Sequence, residues 1–373
     1  MRSAKASTAA TLFSYAALRL WARAAVSVFY ADTAVTNRAP DLGGRPAVLA
    51  ANHGNALGDV AVIVAKAPAF PHFLASATWW KSPPARFLFG LGGALPIHRR
   101  RDGETLRNAE TFAACHDALA EHRHLVIFPE GEMHLEPTLL PLKTGAARIA
   151  LGAGSDRGVG GVVLVPVGLV YEDRGRFRSR AAIEFGEPIE IDDWVDDYRA
   201  DPAKVIHAVT ELLGERLAEA VSRRTRDLVA AERRSRVVPL GTRPRRWRRR
   251  TTAEVAVMTV PALVGLLANA PVLVGCTTAD LLVRHEGWRA TVKGLGATLL
   301  CPITWFGEWV WLSKRFGRGR ATVMALAGAT AGLAALGWWD HVAELRRDAS
   351  GRTIVGAPGI APGDSLDCRS AAE

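Results

Sequence analysis

Only four cysteines are spread through 373 residues, and no two form a Cys-x-x-Cys pair. Cys115, Cys276, Cys301 and Cys368 follow no regular spacing. That excludes a disulfide framework and a thiolate metal site, and fits a reducing compartment. No Gly-x-Ser-x-Gly elbow occurs, so the strand-to-helix serine nucleophile is absent. No group of residues has metal-ligand spacing, and no internal repeat is visible. The first thirty residues show no small-residue cleavage pattern, so no signal peptide is expected. Acidic residues are the minority charge. There are 37 Asp and Glu against 47 Lys and Arg, a formal net of +10.

What is present divides the chain. Hydrophobic residues make up 49% and charged residues 23%, and mean hydropathy is +0.08. That mixture implies a soluble part joined to apolar segments. The charge is concentrated. Between Arg223 and Arg250 stand twelve arginines against Asp227 and Glu232, a net of +10 that equals the charge of the whole chain. A basic block before an apolar stretch suggests anionic lipid headgroups and an inside-facing flank. A solvated basic linker is the plainer alternative. Nucleic-acid binding would rest on this block alone, which holds one aromatic residue, Trp247, and no recognisable binding module. No nucleic-acid partner is expected.

The apolar stretches follow the block. Val255–Cys276 is 22 residues without a charge, interrupted by Pro261, Asn269 and Pro271. Leu295–Leu312 carries Glu308 and several Trp, and Ala321–Trp339 is 19 uncharged residues rich in Ala and Gly. A spanning helix needs about 20 apolar residues. The first and third stretches are candidate spans, and interfacial hairpins are the alternative. At the other end, Leu12, Phe13, Leu18, Leu20, Trp21, Val26, Val28 and Phe29 alternate with basic residues. That pattern fits a helix lying at an interface. The expected organisation is an N-terminal interfacial helix (1–32), a catalytic domain (33–222), a basic linker (223–250), apolar membrane-associated helices (251–340) and a loosely ordered polar tail (341–373).

Within 33–222, strand and helix patterns alternate. Expected strands are Pro46–Ala50, His72–Ala75, Leu125–Phe128, Val162–Val165 and Ala181–Phe185. A final helix is expected at Val205–Val221. Alternation of this kind implies an α/β fold, a mostly parallel sheet covered by helices on both faces. Trp79 and Trp80 read more safely as core than as lipid-facing residues. Such sheets bind ligands at the carboxyl edge of their strands. Pro46–Ala50 delivers Asn52 and His53 to that edge, with Asp59 close behind. A His with a carboxylate partner is the minimum for general-base catalysis. On one straight helix the two would lie about 600° apart at roughly 100° per residue, so they would not share a face. The chain must turn between them, and Gly54 and Gly58 would make that turn easy. The same residues also fit a plain strand-to-helix connection with an N-capping Asn and a solvent-exposed His53. Further on, Arg99, Arg100 and Arg101 reach the edge after Leu95–Ile97, where guanidinium groups suit phosphate. Lys143 would stand beside a helix start that Thr144 could cap.

Four stretches occur in a fixed order: Asn52-His53 with Asp59; Gly93 to Pro96 and Arg99; Phe128-Pro129-Glu130-Gly131 with His134; and Val165-Pro166. Together they resemble the glycerolipid acyltransferase family, the glycerol-3-phosphate and 1-acylglycerol-3-phosphate acyltransferases. The likeness covers roughly residues 45–190, and the run Leu140–Arg148 adds to it. Two departures stand out. Five residues separate His53 from Asp59 where four are commonest, and Met133 replaces a common Ser or Thr.

The resemblance implies a membrane-bound O-acyltransferase that makes phosphatidate from lysophosphatidate. Glycerol 3-phosphate or another lyso-lipid is the alternative acceptor, and a non-catalytic lipid-binding protein is the rival from another class. His53 would be the general base and Asp59 its orienting partner. Attack on the thioester would be direct, with no acyl-enzyme. Arg99 and, more weakly, Lys143 would hold the acceptor phosphate. Glu130 and Gly131 would shape the acceptor pocket, Pro166 would line the acyl route, and Asn52 would fix the turn. The partners implied are a lysophospholipid acceptor, an acyl-CoA or acyl-carrier-protein donor and an anionic membrane surface. No cofactor or metal is needed. The catalytic domain would face the cytoplasm from the inner membrane.

Overall fold

The computed structural model describes residues 2–36, 42, 44–97, 108–136, 138–237, 252–284 and 286–350. Along the chain it sets α1 (Arg2–Phe29), β1 (Asp32–Thr36), β2 (Ala47–Ala51), α2 (Ala56–Lys66), β3 (Pro71–Ser76), α3 (Pro83–Leu91), β4 (Leu95–Ile97), α4 (Asn108–Ala120), β5 (His124–Ile127), α5 (Gly145–Asp156), β6 (Val163–Tyr171), β7 (Arg180–Phe185), β8 (Ile189–Glu190), α6 (Val195–Ala200) and α7 (Pro202–Val237). Four further α-helices follow among the described residues: α8 (Thr252–Ala268), α9 (Ala270–Leu282), α10 (Arg289–Phe316) and α11 (Arg318–Ser350).

The sheet runs β1-β7-β6-β2-β5-β3-β4, with β8 against β6. All pairings are parallel except β6 with β7 and β6 with β8. β2, Ala-Val-Leu-Ala-Ala, is buried along its whole length. A strand without polar alternation is one covered on both faces. Ala47, Leu49 and Ala51 face a core built with α1 and α2, including Ala22, Val26, Val62 and Ile63. Val48 and Ala50 face the other layer, with Leu119 of α4, Ile149 of α5 and Val209 and Leu213 of α7. The expected α/β architecture is therefore present. The C-terminal ends of β2, β5 and β6 lie side by side.

Several expectations need correction. Asp32–Thr36 is not among the expected strands, yet it pairs in parallel with β7. It is an edge strand whose partner lies about 150 residues away, so no local alternation marks it. α7 does not stop near Val221. It continues to Val237, carrying the first arginines of the basic block in a helix. Arg223 there pairs with Glu219 one turn back, and with Glu184 of β7 at 3.2 Å. Residues 238–250 lie outside the described residues. Trp79 is 45% exposed rather than core. It tilts against Trp288, while Trp80 stacks on Phe89.

On α1, Ala22, Val26 and Phe29 are buried, while Phe13, Leu20, Trp21 and Val28 are exposed. Its arginines do not simply alternate with apolar residues toward an interface. Arg19 donates to the Ala67 carbonyl and Arg23 to the Ala65 carbonyl. Both cations thus cap the carboxyl end of α2, where the helix dipole is negative.

The first apolar stretch is not one straight span. α8 and α9 meet at 65°. Asn269 and Pro271 break the run, and the Asn269 side chain bonds the Gly265 carbonyl and the Trp305 indole. Among the described residues, Arg318–Asp340 (23 residues) is long and apolar enough to cross a membrane, and the bent pair passes only when taken together. Helices α8 and α11 pack closely because Gly265 faces Ala331. A Cβ at Gly265 would stand 2.2 Å from the Ala331 carbonyl oxygen. α11 also extends through residues expected in a loose tail, up to Ser350, and Asp340 pairs with Arg178.

Cys115 is fully buried in α4, and burial pushes its thiol up to about 12. It should resist iodoacetamide near pH 8 in the folded protein and react after denaturation, as mapped by mass spectrometry. Native-state labelling at the rate of a free thiol would contradict its placement.

Candidate active site

Asn52 leaves β2 and keeps the pairing with β6 going through its side chain. Its Nδ2 donates to the Leu169 carbonyl at 2.9 Å, and its Oδ1 accepts from the Leu169 amide at 2.7 Å. The next residue, His53, therefore starts from a fixed base. It lies outside α2, so the 120° separation of a straight helix does not apply. Asp59 sits in the first turn of α2 and faces back onto the loop. The two side chains meet, with His53 Nδ1 2.9 Å from Asp59 Oδ2. The same oxygen accepts from the amides of Gly54 at 3.0 Å and Asn55 at 2.8 Å. Asp59 Oδ1 accepts from the Tyr171 hydroxyl at 2.6 Å.

The longer turn is not absorbed by glycine conformation. The left-handed residue is Ala56, at φ 40°. Gly54 and Gly58 serve close approach instead. A Cβ at Gly58 would stand 2.8 Å from Asn55 Nδ2, and one at Gly54 would stand 3.2 Å from Arg174 Cζ. Asn55 does not cap α2 with its side chain. It is buried and donates to the Tyr30 hydroxyl at 2.8 Å. Burial and the Asp59 charge raise both the Tyr30 and the Tyr171 hydroxyl far above the usual tyrosine range. Tyr171 therefore stays a donor to Asp59 throughout the working pH range.

His53 is about one-fifth exposed, at 20% of its side chain. Its ring stacks on Phe128 at 3.9 Å between centroids. Every group around Asp59 is a donor, so Nδ1 carries the proton it shares with the carboxylate. Nε2 then holds the lone pair. An imidazole in that tautomer can accept a proton at Nε2.

Glu130 lies after β5 and is buried. Its Oε1 accepts the His53 amide at 3.0 Å, and Oε2 accepts the Leu140 amide at 2.8 Å and the His134 ring. The His134 amide returns a bond to the His53 carbonyl at 3.2 Å. Both peptide groups of His53 are thus tied to this loop. Both Glu130 oxygens are engaged within the protein, Oε1 by the His53 amide and Oε2 by the Leu140 amide and His134, so Glu130 shapes the site by holding the backbone of His53. Glu130→Ala would orphan two part-buried amides at up to roughly 1–3 kcal/mol each, whereas Glu130→Gln keeps one acceptor oxygen. The alanine variant should melt several degrees lower and lose activity. An unchanged Tm would contradict the arrangement.

Gly131 has φ 77°, and the Lys143 side chain lies across it. A Cβ there would stand 2.1 Å from Lys143 Nζ. Lys143 is held by its amide bond to the Pro129 carbonyl at 2.8 Å. Thr144 stands at the N-cap position of α5 but makes no side-chain capping bond. Pro166 is buried within β6, opposite Ala50 and against Gly186. It is part of the sheet core. Arg99, Arg100 and Arg101 lie outside the described residues.

Sequence reasoning missed Tyr30, Tyr171 and Thr291. The Thr291 hydroxyl in α10 accepts the Leu57 amide at 3.1 Å, so the C-terminal region touches the catalytic turn. A tyrosine at a strand end carries no signal until the topology sets β6 beside β2. Among the described residues no group of three or more His, Cys, Asp or Glu could hold a metal ion.

His53 and Asp59 meet at the edge of this sheet, tied to a Phe-Pro-Glu-Gly loop, and residues 32–170 match the Acyltransferase family model. The match takes in a little over a third of the chain, and there the chain is similar to glycerolipid acyltransferases. It is similar to glycerol-3-phosphate O-acyltransferase 2 of Saccharomyces cerevisiae, 41% identical over 115 residues that cover 30% of this chain and 16% of that protein. Glycerol-3-phosphate O-acyltransferase 1 of the same yeast is 43% identical over 95 residues, covering 26% of this chain and 12% of its own. The chain thus spans less than a fifth of those relatives. A crystal structure of the 1-acyl-sn-glycerophosphate acyltransferase from Thermotoga maritima matches with a TM-score of 0.39 and 20% identity, over 53% of this chain and 79% of that one.

Proposed function

We propose that this protein transfers a fatty acyl group from an acyl thioester to a hydroxyl of a glycerophosphate, with lysophosphatidate as the acceptor and phosphatidate as the product. The observation that carries the reading is the His53–Asp59 contact at the strand edge. An alcohol is a weak nucleophile at pH 7 and needs a base as it attacks. His53 Nε2 takes the hydroxyl proton while the oxygen bonds the thioester carbonyl carbon. The carbon–sulfur bond then breaks, and the departing thiolate receives the proton from the imidazolium. Asp59 stabilises that imidazolium. Attack is direct, without an acyl-enzyme. Lys143, and Arg99 on the sequence resemblance, supply cations for the acceptor phosphate. The donor is acyl-CoA or acyl-carrier protein.

The apolar surfaces of α8 to α11 and the basic stretch from Arg223 support work at an anionic membrane, with the domain on the cytoplasmic side. A second reading has one specific support. The two yeast relatives are named for glycerol 3-phosphate, so that acceptor is the rival substrate.

The test is labelled palmitoyl-CoA offered to membranes holding the protein, with either acceptor. Product from lysophosphatidate alone supports the first reading. Product from glycerol 3-phosphate alone moves the enzyme one step earlier. No product from either acceptor with either class of donor would overturn both.

A further inference from the structure

Gly54 is the neighbour of His53, and the Arg174 guanidinium lies flat across it. A Cβ at Gly54 would stand 3.2 Å from Arg174 Cζ, 3.3 Å from Nε and 3.3 Å from Nη2. Three atoms of one planar group at nearly equal distance mean face-on contact. The backbone beneath Arg174 is fixed. Asp173 Oδ1 accepts the amides of Gly175 and Arg176, both at 3.0 Å. Asn55 Nδ2 donates to the Arg174 carbonyl at 3.4 Å, and Lys293 of α10 donates to the Gly175 carbonyl at 2.7 Å.

Among the described residues no partner holds the charged end. Glu172 pairs with Arg176 at 2.7 Å, Asp173 is taken up in its turn, and Asp59 already accepts four donors. Arg178, on the same loop, pairs with Asp340. Among the described residues, the Arg174 guanidinium has neither an ion-pair partner nor a hydrogen-bond acceptor. A guanidinium on an anchored backbone, with its donors free among the described residues and set against the His53 turn, suits a carboxylate or phosphate oxyanion, and phosphate is the one that the substrates of the acyl-transfer reading bring.

We propose that Arg174 binds a phosphate group of a substrate at the acyl-transfer site, an inference that rests on the acyltransferase reading. Two substrates bring that chemistry: the glycerophosphate acceptor, and the phosphates of a coenzyme A donor. Arg174 lies outside every stretch that carries the family resemblance as an anion-binding block.

Kinetics of Arg174→Gln and Arg174→Lys test the proposal. Losing a charge-assisted fork should raise the KM of one phosphate-bearing substrate about 10- to 100-fold, with a smaller change in kcat. Lysine keeps the charge without the fork and should fall between. A rise for the acceptor alone assigns the acceptor phosphate, and a rise for the donor alone assigns the donor. Both KM values staying at the unaltered protein's level in a folded Arg174→Gln variant would overturn the proposal, as would a fall in kcat alone. A second measurement needs no variant. Phenylglyoxal labelling of Arg174, mapped by mass spectrometry, should be slowed by glycerol 3-phosphate or by coenzyme A. Labelling indifferent to both would also overturn it. Absence of any acyl transfer by the unaltered protein would instead remove the reaction, and the labelling result stands apart from that failure.

Discussion

His53→Ala lowers acyl transfer about a hundredfold to ten-thousandfold, the range expected for loss of a positioned base, and leaves the fold nearly intact. The side chain is partly exposed and makes one side-chain hydrogen bond, to Asp59, beside its stacking on Phe128. Removing the ring still leaves Asp59 with the Gly54 and Asn55 amides and the Tyr171 hydroxyl. The bonds that hold the loop use the His53 backbone, through Glu130 and His134, and survive the substitution. Rate and stability should therefore separate. Thermal melting within a few degrees of the unaltered protein, with transfer gone, is the expected pair of results. Full residual turnover would remove His53 from the base role.

At Asp59 the same two quantities move together or apart according to the replacement. Asp59→Ala strips the acceptor from two buried amides and a buried hydroxyl. At roughly 1–3 kcal/mol for each orphaned group, the cost is about 3–9 kcal/mol. Domains are stable by only about 5–15 kcal/mol, so this variant should misfold or express poorly. Asp59→Asn behaves differently. Its amide oxygen can replace Oδ2 before the two amides and His53, and its NH2 can donate to Tyr171, whose hydroxyl can rotate to accept. That variant should fold. It carries no charge to stabilise the imidazolium, so transfer should fall by two or more orders of magnitude. Melting curves and initial rates of the two variants check this. An Asn variant as active as the unaltered protein would show that the carboxylate is only structural.

These two residues are nameable from the sequence because an apolar run delivers a histidine to a turn with a carboxylate close behind. Their contact is not. The six-residue spacing argues against a shared helix face, and the geometry works because α2 begins only at Ala56, after His53. The strands within the catalytic domain are legible as apolar runs, since burial on both faces leaves a continuous hydrophobic signal in β2, β5 and β6. β1 is not, because an edge strand paired to β7 shows nothing local. Glu130 is visible as a motif residue, but its work is not. Only the fold shows that its two oxygens hold the His53 and Leu140 amides. Tyr171, Arg174 and Thr291 come from a strand end, a loop and a distant helix, and converge on one turn through topology alone. The C-terminal helices show the same limit. Their apolar composition is plain, but the 65° bend at Asn269 and the docking of α10 onto the catalytic turn depend on tertiary contacts.

The most direct measurement is acyl transfer from labelled palmitoyl-CoA by membranes containing the unaltered protein, run beside membranes with equal amounts of folded His53→Ala. The account predicts labelled phosphatidate or lysophosphatidate from the unaltered protein, according to the acceptor supplied, and none above background from the variant. Equal product from both membranes would contradict the central claim that His53, oriented by Asp59, is the base for acyl transfer.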